Sequence, residues 1–355
     1  MLNLEIARQR LAQQYIASAA FEKAVDVVRW FGAVQAQDYL GALWAVGLRM
    51  QNTIAEDVER AIAAGEIVRT HPMRGTWHFV AGEDIRWLLS LTRTRMFART
   101  ASMYRQLELD DAIFARSHDL IERILQGGKQ LTRHELAAAH EQVGISTTGL
   151  RLTFLLSHAE LEGLIVGGAR RGKQITFALL DEMVPTYRTL ERDEALAELA
   201  RRYFTSHGPA TEHDFAWWSG LTLTEVRTGL ALNEEHLVEE KINGQSYWRS
   251  PSLPTINPTS PTAYVLPSYD EYTVAYKDRS AVLDPAHIIT TRNGIFSPIV
   301  VVNGQVVGLW ARELKRSEVI VTPSLFVELD EAEMRAVAEA AQRYGKFLGL
   351  PVTVA

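Results

Sequence analysis

The chain contains no cysteine. Disulfide frameworks and thiolate metal sites are therefore excluded, and cytoplasmic residence is the expectation. It also lacks any run of eighteen apolar residues, so no membrane-spanning helix is expected. The opening stretch "MLNLEIARQRLAQQY" reads as an amphipathic helix, not as a basic start followed by an apolar signal core. A net basic charge is missing too: 37 Lys and Arg stand against 43 Asp and Glu, a formal balance of −6. This disfavours a partner held by bulk charge alone, although nucleic-acid binding needs only a local basic surface. What remains, 355 residues with 47% hydrophobic and 23% charged, is the composition of a globular protein with two or three domain-sized units.

The charge is segregated. Between Glu66 and Gln106 stand Arg69, Arg74, Arg86, Arg93, Arg95, Arg99 and Arg105, against Glu66, Glu83 and Asp84. The closing stretch "ELDEAEMRAVAEAAQRYGKF" is acidic and supplies much of the compensation.

Helical periodicity predicts helices over 4–17, 21–33, 38–50 and 54–64, with Gly65 as a stop. "EIVRTHPMRGTWHFV" reads as a hairpin, and a long basic helix is expected from about Glu83 to Gln106. A degenerate repeat follows. In "LTRHELAAAHEQVGISTTGLRLTFLLSHAELEGLIVGGARRGKQITFAL", Thr132 and Glu135 form a capping box, a helix runs to Gln142, and Gly144 turns the chain. A second helix is expected from Ser146, then a hairpin with a basic tip. In "GPATEHDFAWWSGLTLTEVRTGLALNEEHLVEEKINGQSYWR" the order recurs: Thr211 cap, Gly220 turn, Thr222 helix start, tight Asn-Gly hairpin. Helix, glycine turn, helix and wing is the winged helix-turn-helix pattern. Beyond Pro254 a proline-rich linker leads into β-rich segments, including "TAYVLPSYDEYTVAY" and "AHIITTRNGIF", and a closing helix over 330–347. Asn303-Gly304 between apolar runs signals a further hairpin. The expected fold is α+β and mainly helical. Three tandem winged-helix units (1–106, 107–185, 186–253) are arranged around a C-terminal β-rich module (254–355).

Several motifs invite chemistry. "GGARRGKQ" approaches a phosphate-binding P-loop, but Gln174 stands where a hydroxyl should hold Mg²⁺, and a strand follows instead of a helix. It reads as a basic wing tip, with Arg170, Arg171 and Lys173 placed for phosphate or a minor groove. His134 and His140 are six apart and do not share a helix face, so no metal is expected. Asp270 and Glu271 are adjacent; in a strand they point to opposite sides and make a poor acid/base pair. Asp270, Asp278 and Arg279 converge only if the fold brings them together, either as a structural ion pair or as a hydrolytic centre. Along the hairpin, Arg69 and His71 share a face and Arg74 sits at the turn. This is either a solvated charged edge or a phosphate-contacting wedge.

"GAVQAQDYLG" sits between two apolar helices and places Gln35 and Gln37 one residue apart. An unpartnered buried amide costs about 1–3 kcal/mol, so each has a bonding role or faces water. In an extended link the two amides face the same way; on a helix they diverge by about 200°. Two neutral amides side by side suit holding a water or a base edge. They do not suit strong general-base work, because an amide accepts no proton at neutral pH. Tying a loop to neighbouring backbone is the alternative use.

Taken in order, the tandem winged helices, "VQAQDY", "MRGTWHFV", "LPSYDEYTVAYKDR" and "NGQVVGLW" resemble the AlkZ-like winged-helix DNA glycosylases over essentially the whole chain. The resemblance implies three winged helices around a β module, with a concave face for double-stranded DNA. It implies an activity that removes bulky or cationic N7-alkylated purines and unhooks interstrand crosslinks. The family's Gln-x-Gln or Gln-x-Asp catalytic motif falls here on Gln35 and Gln37, with Asp38 next to them as possible support. The basic helix (Arg93, Arg95, Arg99), the hairpin (Arg69, His71, Arg74), the wing (Arg170, Arg171, Lys173) and Arg292 in "TTRNGIF" are the expected DNA contacts. Neither metal nor cofactor is expected, and the enzyme would act as a monomer away from any membrane. The competing reading is a non-catalytic winged-helix regulator, disfavoured because no heptad or dimer seam is evident.

Overall fold

The computed structural model describes residues 4–252, 261–291 and 293–355. It resolves into two compact units, Met1–Val58 with Leu196–Ala355, and Glu59–Ala195. Helices and sheets are mixed, as expected for an α+β chain.

The chain opens with α1 (Leu4–Gln13), α2 (Ala24–Phe31), a two-residue strand β1 (Val34–Gln35), α3 (Tyr39–Gly47) and α4 (Ala55–Ala63). Helix α2 buries Ala24, Val25, Val27, Val28 and Phe31 on one stripe, and Gly32 stops it at φ +82°. Helix α3 differs, because Gly41 through Gly47 are all buried. A helix apolar all round belongs inside a core.

In the second unit, β2 (Ile67–Met73) and β3 (Thr76–Ala81) form the predicted hairpin, followed by the long helix α5 (Ile85–Gln106). Then come α6 (Asp111–Leu125), β4 (Leu131–Thr132), α7 (Arg133–Gln142), α8 (Arg151–Leu161), β5 (Ile165–Arg171), β6 (Gln174–Leu179) and α9 (Leu180–Met183). These strands lie in the order β3-β2-β5-β6-β4, each pair antiparallel. Gly167 explains how β5 reaches β2: a Cβ there would stand 2.9 Å from the Arg69 carbonyl oxygen. Gly167 of "GGARRGK" thus serves strand pairing, and Gly172 takes the positive φ of the hairpin turn. Helices α6, α7 and α8 close over the sheet through Ile121, Leu125, Leu136, Leu156 and Phe177. The second helix of this repeat begins at Arg151, not at Ser146. Thr147 spends both its N–H and its hydroxyl on Glu141 Oε1, which holds the preceding segment in a turn.

Back in the first unit, α10 (Arg192–His207, entered from the second unit), α11 (Glu212–Ser219) and α12 (Leu223–Ala231) precede the hairpin β7 (Val238–Ile242)/β8 (Gln245–Arg249). Thr132, Thr211 and Thr222 open α7, α11 and α12 as predicted from the sequence, and all three make capping boxes, the one expected with Glu135 and two more with Asp214 and Glu225. The C-terminal module contains β9 (Ala263–Leu266), the single turn α13 (Glu271–Val274), β10 (Ile299–Val302), β11 (Gln305–Leu314), β12 (Val319–Leu325), α14 (Glu331–Leu348) and β13 (Val352–Val354). Its sheet runs β13-β12-β11-β10-β9, parallel only between β12 and β13. Asn303 and Gly304, both at positive φ, make the predicted hairpin. Helix α14 lays Val337, Ala340, Ala341, Tyr344 and Phe347 into the core. Gly47 of α3 lets the Phe347 ring approach, since a Cβ there would stand 2.2 Å from it.

Two β expectations for this module are corrected. The stretch after β9 is a helical turn because Asp270 accepts the Tyr272 N–H and caps it. In "AHIITTRNGIF" only Thr290 and Phe296 bridge among the described residues. The centre of the proline-rich linker, 253–260, lies outside the described residues.

Candidate active site

The Gln-Ala-Gln stretch lies where α2 has ended at Gly32 and α3 has not yet begun. Residues 34–35 are extended, and the chain bends at Gln37 and Asp38. The two glutamines consequently occupy different environments. Gln35 is 4% exposed, Ala36 is fully buried, and Gln37 is exposed.

Beneath Gln35 lies a carboxylate from the far end of the sequence. The Gln35 N–H donates to Glu271 Oε1 at 2.7 Å. The other Glu271 oxygen accepts the Trp218 indole N–H at 2.9 Å and stands 3.3 Å from His207 Nε2. Glu271, His207 and Trp218 are fully buried. Burial pushes the His207 imidazole below its ordinary pKa, an effect partly opposed by its bond to Glu271. Two indoles place this acid: Trp44 of α3 donates to the Val265 carbonyl at 2.8 Å, and Trp310 of β11 to the Leu266 carbonyl at 2.7 Å. Both carbonyls belong to β9, which leads into the turn carrying Asp270 and Glu271.

Asp270, the residue that caps this turn, faces elsewhere. Its two oxygens take the Arg49 guanidinium bidentately, both at 2.9 Å, with each side chain at most 1% exposed. Arg49 also donates to the carbonyls of Ala45 and Gln14 and to Gln14 Oε1. Gln14 donates on to the Tyr276 hydroxyl, which donates to the His207 carbonyl. A buried polar network therefore underlies the glutamine segment. Of the three residues that the fold could have brought together, Asp270 pairs instead with Arg49. Asp278 Oδ1 accepts the Ser280 N–H, and Arg279 donates to the Thr273 carbonyl with its guanidinium 4.8 Å from the Phe296 ring centre. Asp38, partly exposed, pairs with Arg312 at 3.0 Å.

The basic candidates of the second unit are variously engaged. Arg69 is 8% exposed and lies 4.0 Å over the Trp77 ring; His71 Nδ1 meets Glu160 Oε2 at 2.7 Å. Arg74 occupies the hairpin turn at φ +56°. Arg93 pairs with Glu162, Arg170 with Glu59, and Arg171 with Glu135. Arg99 and Lys173 are exposed, and Arg95 is half-buried. Arg292 lies outside the described residues. His140 is a satisfied core histidine between Ser117 Oγ at 2.8 Å and the Leu136 carbonyl at 2.7 Å.

Sequence reasoning missed Glu271 as a partner of Gln35, along with Arg49, His207 and Trp218. The available signal was a pair of adjacent acids inside the largely apolar run "AYVLPSYDEYTVAY". Such acids are buried only when partnered.

This chain belongs to the AlkZ-like DNA glycosylase family, whose model, DNA glycosylase AlkZ-like, covers residues 28–347. As a DNA glycosylase it is a DNA-binding repair enzyme, a hydrolase of N-glycosidic bonds. It is similar to the interstrand DNA cross-link repair glycosylase of Streptomyces sahachiroi, with 28% identity over 369 positions and 97% of each chain covered. Among solved structures it is similar to Streptomyces sahachiroi DNA glycosylase AlkZ, with a TM-score of 0.80, 25% identity and 99% of both chains covered.

Proposed function

We propose that this protein hydrolyses the N-glycosidic bond of cationic, N7-alkylated purines in double-stranded DNA and unhooks interstrand crosslinks. Gln35 and Gln37 are the catalytic pair. The observation that carries this reading is the asymmetry of the link. Gln35 is fixed through its backbone to a fully buried carboxylate, while Gln37, two residues on, reaches solvent at a bend. A rigid base under an exposed carboxamide is what positioning a water demands.

The chemistry needs little more. Alkylation at N7 places a positive charge on the purine, so the base departs as a neutral leaving group and an oxocarbenium-like sugar develops. Water adds to C1′, and its extra proton passes to solvent, because neither carboxamide accepts it. Carbonyl oxygens of the pair hold the water and face the developing positive charge; orientation and electrostatics together lower the barrier by several kcal/mol. Asp38, ion-paired with Arg312, adds negative potential next to Gln37. An unmodified purine, with no charge to shed, stays bound, so substrate choice follows from the mechanism.

The modular reading extends to binding: each of the three winged-helix units and the β module offers contacts to DNA, in a monomer that uses no metal or cofactor and acts in the cytoplasm on the nucleoid. Arg95, Arg99 and Lys173 offer charge to phosphates, and the weak surface pairs of Arg93, Arg170 and Arg171 can be exchanged for phosphate.

The test is release of free base from a duplex containing N7-methylguanine, comparing wild type with Gln35→Ala and Gln37→Ala. Wild type releases 7-methylguanine, and each substitution slows release at least about tenfold, the loss of one transition-state hydrogen bond. Wild type that releases nothing, yet binds one unmodified sequence tightly, would establish the regulator instead. Release unaffected by either change removes the glutamines from the mechanism.

A further inference from the structure

We infer that the second unit carries a binding site for a planar aromatic group bearing an anionic substituent, in the cavity beside Trp77. The cavity measures about 630 Å³, within the range of roughly 300–1,000 Å³ typical of small-molecule sites. Its apolar lining is made by the aromatic Trp77 and Phe177 with Leu152 and Ile175. Arg69, Arg133, His134 and Gln174 also line it, and among the described residues no carboxylate does.

Three features make this a built site. Trp77 is held in place before any ligand arrives: the Arg69 guanidinium lies 4.0 Å from its ring centre and the His71 ring 3.8 Å away. His71 is itself pinned to Glu160. A wall fixed in this way loses little conformational freedom on binding. Second, Arg133 spends one guanidinium N–H on Thr153 Oγ1 at 2.7 Å, which orients the group and leaves its other donors for a ligand. Third, Arg133 is the first residue of α7, so the helix terminus adds positive potential at the rim. Glu135, the acid in that first turn, is occupied by Thr132 and Arg171. An apolar cavity lined by Trp77 and Phe177 and by the guanidinium groups of Arg69 and Arg133 selects an aromatic ring by contact and an anion by charge.

The site does not rest on the roles of Gln35 and Gln37. Its chemistry fits two sources, a nucleotide of the DNA substrate or a free aromatic acid. Calorimetric titration of the full chain distinguishes them, with 2-naphthoate, its neutral isostere 2-naphthamide, and deoxyguanosine monophosphate as probes. Naphthoate binds one to one, at least tenfold tighter than the amide. Arg133→Gln abolishes that preference. Ala137→Phe, which fills the cavity from the helix side, abolishes binding of both while the melting curve stays cooperative. Tighter binding of the nucleotide than of naphthoate, lost in the same variants, assigns the site to DNA; the reverse order assigns it to a free acid. Equal affinity for acid and amide, or naphthoate binding untouched by Arg133→Gln and Ala137→Phe, overturns the inference.

Discussion

The backbone N–H of Gln35 donates to the side chain of Glu271 at 2.7 Å, across 236 positions of sequence. Glu271 serves three donors or ring nitrogens with two oxygens and no solvent. Glu271→Gln keeps the shape but replaces one acceptor oxygen with an NH₂ group, so the Gln35 amide or the Trp218 indole is left facing a donor. An orphaned buried donor costs about 1–3 kcal/mol. Loss of that order is expected in stability by urea titration. Base release should fall with it, with kcat reduced several-fold and substrate affinity unchanged, because the anchor sets the position of the glutamine segment and not DNA contact. An equal loss in kcat and in affinity would show that Glu271 holds the whole fold and not the link.

The neighbouring Asp270–Arg49 pair predicts a larger effect on stability. Both groups are sealed, and Arg49 has further carbonyl partners that hold its charge in place. Asp270→Ala leaves a buried guanidinium uncompensated, which costs about 3–5 kcal/mol. Arg49→Met combined with Asp270→Leu removes both charges and should recover much of the loss. A denaturant series on the two single variants and the double measures this coupling. Additive losses would mean that the pair is not coupled.

What the sequence made visible and what it hid divide by distance along the chain. The capping boxes at Thr132, Thr211 and Thr222 and the Asn303-Gly304 hairpin are bonds between residues a few positions apart, so spacing alone exposes them. The Gln-Ala-Gln link was visible as an oddity between apolar helices. Its asymmetry was not, because burial of Gln35 depends on Glu271 and exposure of Gln37 on a bend before α3. Asp270 and Arg49 are 221 positions apart and no periodicity joins them. The alternation in "SYDEYTVAY" suggested a strand. A local event, Asp270 accepting the Tyr272 N–H, turned the chain into a helical cap.

The exposed cations predict a salt signature. Arg99 and Lys173 each neutralise a phosphate if they sit on the DNA face. The slope of log affinity against log salt falls by roughly 0.9 for each duplex phosphate that is no longer neutralised. Removing both as Arg99→Ala and Lys173→Ala should therefore flatten the slope by about two, with little change in base release from saturated enzyme. Fluorescence anisotropy of a labelled duplex from low to moderate salt measures it. An unchanged slope would place both residues away from DNA.

The second unit also predicts a loss of stability in acid, to which His158 contributes beside the fully buried His78, whose pKa burial lowers from 6.5 to about 3. The His158 ring lies between Phe97 and Phe114, with centroids 4.9 and 3.8 Å away, and its Nδ1 is 3.2 Å from His118 Nε2. Burial, reinforced by His118, lowers its pKa from 6.5 to about 4. His118 is also lowered by burial, against the opposing influence of Glu162 and Asp119. The folded value lies below the unfolded one, so on acidification the unfolded chain takes the proton first. The stability contributed by neutral His158 is complete above pH 6.5 and drains away as pH falls toward 4. His158→Leu keeps an apolar group between the two phenyl rings and removes the proton site. Wild type should therefore lose more of its urea midpoint than the variant between about pH 7 and about pH 4.5, by roughly 0.3 M or more. Parallel losses in the two proteins, or a His158 ring resonance that titrates near 6.5 by NMR, would show that the ring is not confined as the geometry requires.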